Sequence, residues 1–321
     1  MILILSNQGD LSTDYVTDWL YYYKANFLRI NSFDLLNDNL FFDITTESIA
    51  IGSNKLEVQD IKSVWFRKFG FFKKSYQADV IKKHLKTNEY QGLSAEFSKA
   101  LEIFENLFTT AFWLTNPKIL PLNKILILQT AQKFGFKIPH TYLVNNKKHL
   151  LEIAKKEKSI ISKSINDPTT IVLENVKYSM YTTVLNDSDI EYLPEHFMPS
   201  MIQECIEKQY EVRTFYICGQ CFSMAIMSQS NIQTDIDFRK YNLDMPNRFV
   251  PYKLPNEMEN KISNLMNEIG LNTGSLDFIV DKNGDYVFLE INPTGQFGMV
   301  DFSCNYGLHR KVAEILIEND K

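Results

Sequence analysis

The stretch that most constrains this chain is Gly274–Gly298, GSLDFIVDKNGDYVFLEINPTGQFG. Asn-Gly between two runs of β-branched and aromatic residues is the strongest short hairpin signal, because both central residues of a type I′ turn need positive φ. With Asn283 and Gly284 at the turn centre, Lys282 faces Asp285, Asp281 faces Tyr286, and Val280 faces Val287. Ile279 then faces Phe288, Phe278 faces Leu289, and Asp277 faces Glu290. Strand side chains alternate, so Asn292 shares the face of Glu290. The other face carries Leu276, Phe278, Val280, Val287, Leu289 and Ile291 and is expected to be core.

Carboxylates directly opposite one another in a ladder repel. Half-buried, they raise each other's pKa or weaken the sheet, so a cation must meet them. Two readings stand. Asp277, Glu290 and the Asn292 amide are hard oxygen ligands, with no His or Cys beside them, and suit Mg²⁺. Alternatively, Arg or Lys side chains neutralise the pair. Candidate cations lie upstream. Lys124 opens a helix, Lys163 sits among isoleucines in SIISKSI, Arg213 is embedded in EVRTFYI, and Arg239 lies in IDFRKYN. A lysine inside an apolar strand is rarely buried unless paired. One such residue alone would read as surface charge; four in or beside apolar strands and turns suit nucleotide phosphates. MIQECI offers a strand end whose backbone can pair with an adenine edge.

The rest of the chain sets bounds. Its 321 residues suggest two domains of roughly 150 residues each. A net charge of −5 disfavours nucleic acid and anionic membranes as partners. No apolar run approaches the ~20 residues of a membrane span. MILILSNQGD lacks a basic n-region and a cleavage site and reads as a first strand, so a cytoplasmic protein is expected. Cys218 and Cys221 form a CxxC, which suggests redox chemistry or half a zinc site. The simpler reading is that they flank a hairpin turn at Gly219-Gln220. WFRKFGFFKK interleaves basic and aromatic residues as single-strand nucleic-acid binders do, against the acid balance of the chain. A buried strand running into a surface loop explains it equally, and Arg67, with Lys68, then faces the nucleotide site. His140 is expected to be structural.

Strand MILILS, a helix capped by Ser12 or Thr13, and strand FLRIN open an α/β domain. A helical region is expected from about Glu89 to Leu114, and TNPKILPLN reads as a domain junction. NKILILQTAQKFG is a helix ending at Gly135. A later helix has Asn256 as cap, Glu259 completing a capping box, and a stripe of Met258, Ile262, Leu265, Met266 and Ile269.

The ordered set resembles an ATP-grasp ligase. It comprises the Asn-Lys helix followed by Gly and Pro-His-Thr, the strand Lys163, Gln203–Ile206, Arg213, Asp237–Arg239, and Asp277–Phe278 with Glu290–Pro293. DLSTDYVTDWL, VWFRKFGF and LEINPTGQFGMV further resemble the graspetide synthetases, microviridin-type peptide maturases of the grasp-with-spasm subgroup. The resemblance implies an α/β (α+β) architecture with the nucleotide held between two α+β subdomains. A Rossmann-like pre-ATP-grasp domain is expected over 1–115, a central ATP-grasp subdomain over 116–198, and a C-terminal subdomain with the metal hairpin over 199–321. ATP and Mg²⁺ are the implied cofactors. A ribosomal precursor peptide with a leader segment is the implied partner, and a homodimer the implied assembly.

The implied reaction phosphorylates Asp or Glu side chains of the precursor and joins them to Thr, Ser or Lys side chains as esters or amides. Lys124, Lys163, Gln203, Glu204, Cys205, Ile206, Glu211 and Arg213 would hold the nucleotide. Asp277, Glu290 and Asn292 would hold Mg²⁺. Arg213, Arg239 and Arg67 would act in catalysis, Arg239 at the γ-phosphate and Arg67 on the peptide carboxylate. One departure is plain: SKSINDPTTIVLENVKYSMYTT, where many ATP-grasp enzymes carry a glycine-rich flap, has no glycine. Small polar residues there, such as Ser164, Asn166, Thr169 and Thr170, would present amides in place of glycine. Two rivals remain, an amino-acid or protein-tail ligase of the same fold and an ATP-binding regulatory module without ligation.

Overall fold

The computed structural model describes residues 1–32, 34–37, 40–70, 80–81, 83–166, 170–173, 176–179, 182–227 and 247–321. They form two compact units. One comprises Met1–Leu120, Gly270–Thr273 and Pro293–Lys321, the other Pro121–Ile269 and Gly274–Asn292. Among the described residues no helix is long and apolar enough to cross a membrane.

The first unit is built on a parallel sheet in the order Phe27–Asn31, Ile2–Ser6, Ser63–Phe66, Phe112–Leu114. Ile2, Leu3, Ile4 and Leu5 are all fully buried, the pattern of a strand covered on both faces. Leu3, Leu5, Ile30, Val64 and Phe66 share a core with Leu101, Phe104 and Phe108. The helix Leu11–Tyr22 is capped by Asp10, whose carboxylate accepts the N–H of Ser12 and Thr13 at 3.0 and 3.3 Å, and not by Ser12 or Thr13. Those two hydroxyls are engaged elsewhere, Thr13 with Ser6 and Ser12 with Gln296. The long helix is Thr87–Leu107, shorter than the sequence suggests, because Phe112–Leu114 pairs as a strand with Ser63–Trp65.

Two helices, Gly298–Cys304 and Leu308–Glu318, close this unit. Asp301 joins them. Its buried carboxylate accepts the N–H of Leu308 at 2.7 Å and of His309 at 3.1 Å, and pairs with the His309 ring. It thereby caps a helix whose own N-cap, Gly307, has no side chain to offer. Burial pushes the Asp301 carboxyl up, but the bonds from His309 and the two N–H groups outweigh it and hold it below the usual range. A carboxylate lowered in the folded state contributes stability above its unfolded pKa, and that contribution is lost as pH falls through the folded value. Asp301→Asn should therefore be the less stable protein near neutral pH, and the gap should narrow in urea melts as pH falls below the usual carboxylate range. A gap that stays constant would show that the Asp301 charge contributes nothing.

The second unit contains, among the described residues, the antiparallel ladder of Thr170–Leu173 with Val176–Ser179 and two larger sheets. One has the order Thr183–Val184, Ile160–Lys163, His196–Glu204, Thr141–Asn146, over a core of Val144, Leu150, Ile153, Ile160, Ile190 and Ile202. The other has the order Arg248–Tyr252, Gln220–Met227, Lys208–Ile217, Thr273–Asp281, Tyr286–Asn292. The strands His196–Glu204 and Lys208–Ile217 are consecutive, so residues 205–207 link the two sheets. In the helix Asn256–Ile269, Met258, Ile262, Leu265 and Met266 are buried as the stripe requires. Asn256 lies inside its first turn, because the N–H of Met258 and of Glu259 bond Pro255 O, and the Glu259 carboxylate takes Lys253 at 2.6 Å.

The cysteine hairpin turns one residue earlier than expected. Ile217 pairs with Gln220, leaving Cys218 and Gly219 as a two-residue loop with φ of +44° and +85°, the signs of a type I′ turn. Both cysteines are thiols, and burial pushes the Cys221 thiol up to about 12, which keeps it protonated and unreactive.

The carboxylate hairpin differs from the expected register in its upper half only. Asp281 N–H bonds Asp285 O, and Gly284 N–H bonds Asp281 O, both at 3.0 Å, so the loop holds Lys282, Asn283 and Gly284. Gly284 has φ of +86°. This is a three-residue loop closed by a left-handed glycine. The Asp281 carboxylate selects it by accepting the N–H of Asn283 and Asp285. Phe278 then faces Phe288, Asp277 faces Glu290, and Leu289 is left over as a bulge. Leu276, Phe278, Val280, Val287, Phe288 and Ile291 are buried, while Leu289 is half-buried. Phe136, Phe278 and Phe288 pack with ring centroids 5.6–6.0 Å apart behind the hairpin.

Candidate functional site

Three adjacent strands of the second unit set out a row of charges. Arg213 on Lys208–Ile217, Asp277 on Thr273–Asp281 and Glu290 on Tyr286–Asn292 follow one another across the sheet. Arg213 Nη1 donates to both Asp277 oxygens, at 3.0 and 3.1 Å. Glu290 Oε2 meets Lys163 Nζ at 2.8 Å and Lys124 Nζ at 3.3 Å. Lys163 ends the strand Ile160–Lys163 of the other sheet. Lys124 is the first residue of the helix Lys124–Lys133, which Asn123 caps through the N–H of Ile125 and Leu126. Lys124 Nζ also donates to Asn166 O at 3.2 Å, just after Lys163.

These five side chains are 11–15% exposed, sheltered yet within reach of a solute. Three cations against two carboxylates leave one net positive charge, which favours a polyanion. Neutralisation by Arg and Lys is therefore realised here. The donor set also fits Mg²⁺, since Asp277, Glu290 and the exposed amide of Asn292 offer oxygen only. A further sign of a ligand is the Arg213 Nε–H. It is buried and has no hydrogen-bond partner among the described residues, and such orphan donors are rare.

The linker end of the site is held from behind. Gln203 is buried and donates to Thr141 Oγ1 at 2.9 Å. Glu204 exchanges backbone and side-chain bonds with His140, whose ring Nδ1 lies 3.2 Å from the Glu157 carboxylate and 3.6 Å from that of Glu204. Cys205 N–H bonds Ser159 O, and Ile206 is half-buried in the link itself. Glu207, exposed, takes Lys158 and Lys282, and those bonds hold its carboxyl down to about 2. Glu211, two residues before Arg213, is buried and paired with Lys208. Sequence reasoning missed Lys208, because strand alternation puts residues three apart on opposite faces and so gives no sign of this pair.

Arg67 belongs to the first unit. Its guanidinium is buried, which lowers its pKa, with Asp10 at 3.4 Å partly offsetting the effect. Nη1 donates to Thr294 O at 2.6 Å and Gly295 O at 3.0 Å, and Nη2 donates to Gln296 Oε1 at 3.1 Å. Lys68 Nζ reaches the same Asp10 carboxylate at 3.4 Å. Arg239 lies outside the described residues, as do Thr169 and the rest of 167–169 in the segment after Lys163.

No family model matches the chain. Over 204 residues, 61% of its length, it is 26% identical to an uncharacterized protein of Methanocaldococcus jannaschii, and the match spans 46% of that protein. Among solved structures it is similar to the macrocyclase MdnC of Microcystis aeruginosa MRC, bound with precursor peptide MdnA. The TM-score is 0.84 and the identity 25%, over 99% of each chain. It is also similar to a RiPP-associated ATP-grasp ligase of Chryseobacterium gregarium, in complex with ADP and a leader and core peptide. The TM-score is 0.82 and the identity 24%, over 99% of this chain and 96% of that one. The ATP-grasp ligase PsnB, complexed with minimal precursor, Mg and ADP, gives a TM-score of 0.80 at 15% identity, over 100% and 97%.

Proposed function

We propose that this chain, an ATP-grasp ligase in fold and similar along its whole length to peptide macrocyclases, crosslinks side chains of a precursor peptide at the expense of ATP. The observation that carries the proposal is the row Arg213–Asp277–Glu290 with Lys163 closing on it from the other sheet and Lys124 from the start of its helix. It supplies five charges at one place and no enzyme nucleophile, which suits a phosphoryl transfer run by positioning and charge neutralisation.

Asp277, Glu290 and Asn292 would hold Mg²⁺, which when bound shields the phosphate charge. Lys124, Lys163 and Arg213 bind the phosphates, and the Arg213 Nε–H gains the acceptor it lacks. Residues 203–206 meet the adenine edge, and Glu211 lies between base and phosphates along the strand. A carboxylate oxygen of the peptide attacks the γ-phosphorus, the bond to ADP breaks, and an acyl-phosphate forms. A hydroxyl or amine of the same peptide then attacks the acyl carbon. Its proton leaves to solvent, phosphate departs, and an ester or amide remains. Arg239 at the transferring phosphate, a leader segment on the peptide, a homodimer and a cytoplasmic site of action belong to the same proposal on the strength of the family resemblance. Arg67, bonded to three acceptors of the Thr294–Gln296 loop, acts by holding that loop.

The test is co-expression with a short candidate precursor peptide rich in Thr, Asp and Glu, sought beside the gene, followed by intact-mass measurement. The expected result is loss of one water per crosslink, with one ADP released for each. A gain in mass by one amino acid would move the chain to the free amino-acid ligases. An unmodified peptide, with no ADP released in its presence, would leave an ATP-binding module.

A further inference from the structure

Three side chains of the second unit that take no part in the charge row converge on one point. His140 stands just before the strand Thr141–Asn146, Glu157 follows the helix Lys147–Lys156, and Glu204 ends the strand His196–Glu204. One donor atom from each lies within 4.8 Å of the other two. His140 Nδ1 is 3.2 Å from Glu157 Oε1 and 3.6 Å from Glu204 Oε2. The ligand atoms of a tetrahedral site with bonds of about 2.0–2.1 Å stand roughly 3.3 Å apart, so this is the spacing of atoms that share one ion. A hydrogen bond accounts for only part of it. A ring nitrogen carries at most one proton, and 3.6 Å is beyond hydrogen-bond reach, so Nδ1 serves Glu157 and leaves Glu204 unserved. A dication among the three atoms serves all of them and matches the charge of two carboxylates. The carboxylates are aimed without help from an ion. Tyr142 donates its hydroxyl to Glu157 Oε1 at 2.5 Å, and the His140 backbone N–H donates to Glu204 Oε2 at 3.3 Å. Bonds of this kind orient ligating carboxylates in metal sites. Lys156 Nζ is 3.9 Å from Glu157 Oε1, but it donates to the Tyr142 hydroxyl at 3.0 Å and is largely exposed. The Glu157 side chain is 8% exposed and the His140 ring 64%, so the cluster is closed on one side and open to water on the other.

We infer that His140, Glu157 and Glu204 form a site for one divalent transition-metal ion of the zinc class, separate from the charge row. The inference does not depend on the nucleotide reading above. One imidazole nitrogen with two carboxylates suits Zn²⁺, whereas Mg²⁺ keeps to oxygen ligands. Water takes the open fourth position. The ion ties the end of a helix and the end of a strand to the start of a third element. Glu204 immediately precedes the link 205–207, so the tie lies at the foot of the connection between the two larger sheets.

The experiment is calorimetric titration of the EDTA-stripped full chain with Zn²⁺ and with Co²⁺, in millimolar Mg²⁺ so that oxygen-only donors are already occupied. One ion should bind per chain with a micromolar or lower Kd, and bound Co²⁺ should show no thiolate charge-transfer band. His140→Ala and Glu204→Gln should each weaken Zn²⁺ binding by about a hundredfold or more. Tyr142→Phe, which loses only the bond that aims Glu157, should weaken it by roughly tenfold to a hundredfold. Zn²⁺ at about a hundred times its Kd should raise the melting temperature of wild type by roughly 5 °C or more and leave that of His140→Ala unmoved. Residues that merely pair with one another would change the metal-free melting temperature and give no metal-dependent shift. If His140→Ala fails to fold, Glu204→Gln and Tyr142→Phe decide. Absence of Zn²⁺ binding overturns the inference, as does binding that the ligand variants leave unchanged. A thiolate band also overturns it, because it places the ion at the cysteines.

Discussion

Replacing Glu290 by alanine should abolish crosslinking and leave the fold intact. Glu290 accepts Lys163 at 2.8 Å and Lys124 at 3.3 Å, so it is where a strand lysine of the other sheet and a helix-opening lysine converge on the hairpin. Its removal takes one carboxylate from the oxygen donor set and leaves two ammonium groups facing each other. Those groups are 11% and 14% exposed, so water can solvate them and the unit need not unfold. The charge on the transferring phosphate, by contrast, loses its alignment. The fall in kcat should be about a thousandfold or more, the scale of losing a preorganised electrostatic contact and a metal ligand together. Glu290→Gln keeps the volume and one oxygen but not the charge, and should fall between. Crosslinked peptide per unit time by mass spectrometry, with circular dichroism as the check on folding, decides it. Turnover of the alanine variant within tenfold of wild type would remove Glu290 from the metal set.

The second large effect is on stability. Phe288→Ala should cost about 3–5 kcal/mol, the usual range for emptying a phenylalanine site in a core. Phe288 is fully buried, its ring packs on Phe136 and Phe278 with centroids 5.6 Å away, and its N–H donates to Lys137 O at 2.8 Å. Two aromatic contacts go with the ring, each worth roughly 0.5–1.5 kcal/mol beyond area alone. At about 2–4 °C per kcal/mol for a unit of this size, the melting temperature should drop by roughly 10 °C. Leu289→Ala, next door but half-buried in the bulge, should cost less than about 2 kcal/mol. If the two variants melted together, the register with Phe288 inward would be wrong.

What the sequence made legible was local. Asp277 opposite Glu290, the Met258–Ile262–Leu265–Met266 stripe and the helix from Lys124 to a positive-φ Gly135 all follow from spacing and turn residues within a short window. The residue types of the site were legible too, since a lysine or arginine inside an apolar strand needs a partner. The partners themselves were not. Lys163 meets Glu290, and Arg67 meets Thr294–Gln296, across separations that no periodicity reports. Where two local signals competed, the stronger acceptor won. Asp10 took the cap from Ser12 and Thr13, and the Asp281 carboxylate turned an Asn-Gly pair into a longer loop. Lys208 escaped notice because strand alternation sets residues three apart on opposite faces and so hides its pairing with Glu211.

The segment between Asp277 and Glu290 is twelve residues long, and two arrangements of the same twelve would close it. One is an unbroken ladder with a two-residue turn. The other, the one adopted, spends a residue in the loop and sets Leu289 aside. Both bring Asp277 opposite Glu290. The hairpin thus carries one residue of slack, and the slack lies on the turn side of the two carboxylates. A deletion at Leu289 would be absorbed as a plain three-residue hairpin without moving either charge. The ends of this hairpin answer to chemistry, while its tip is free to drift in length.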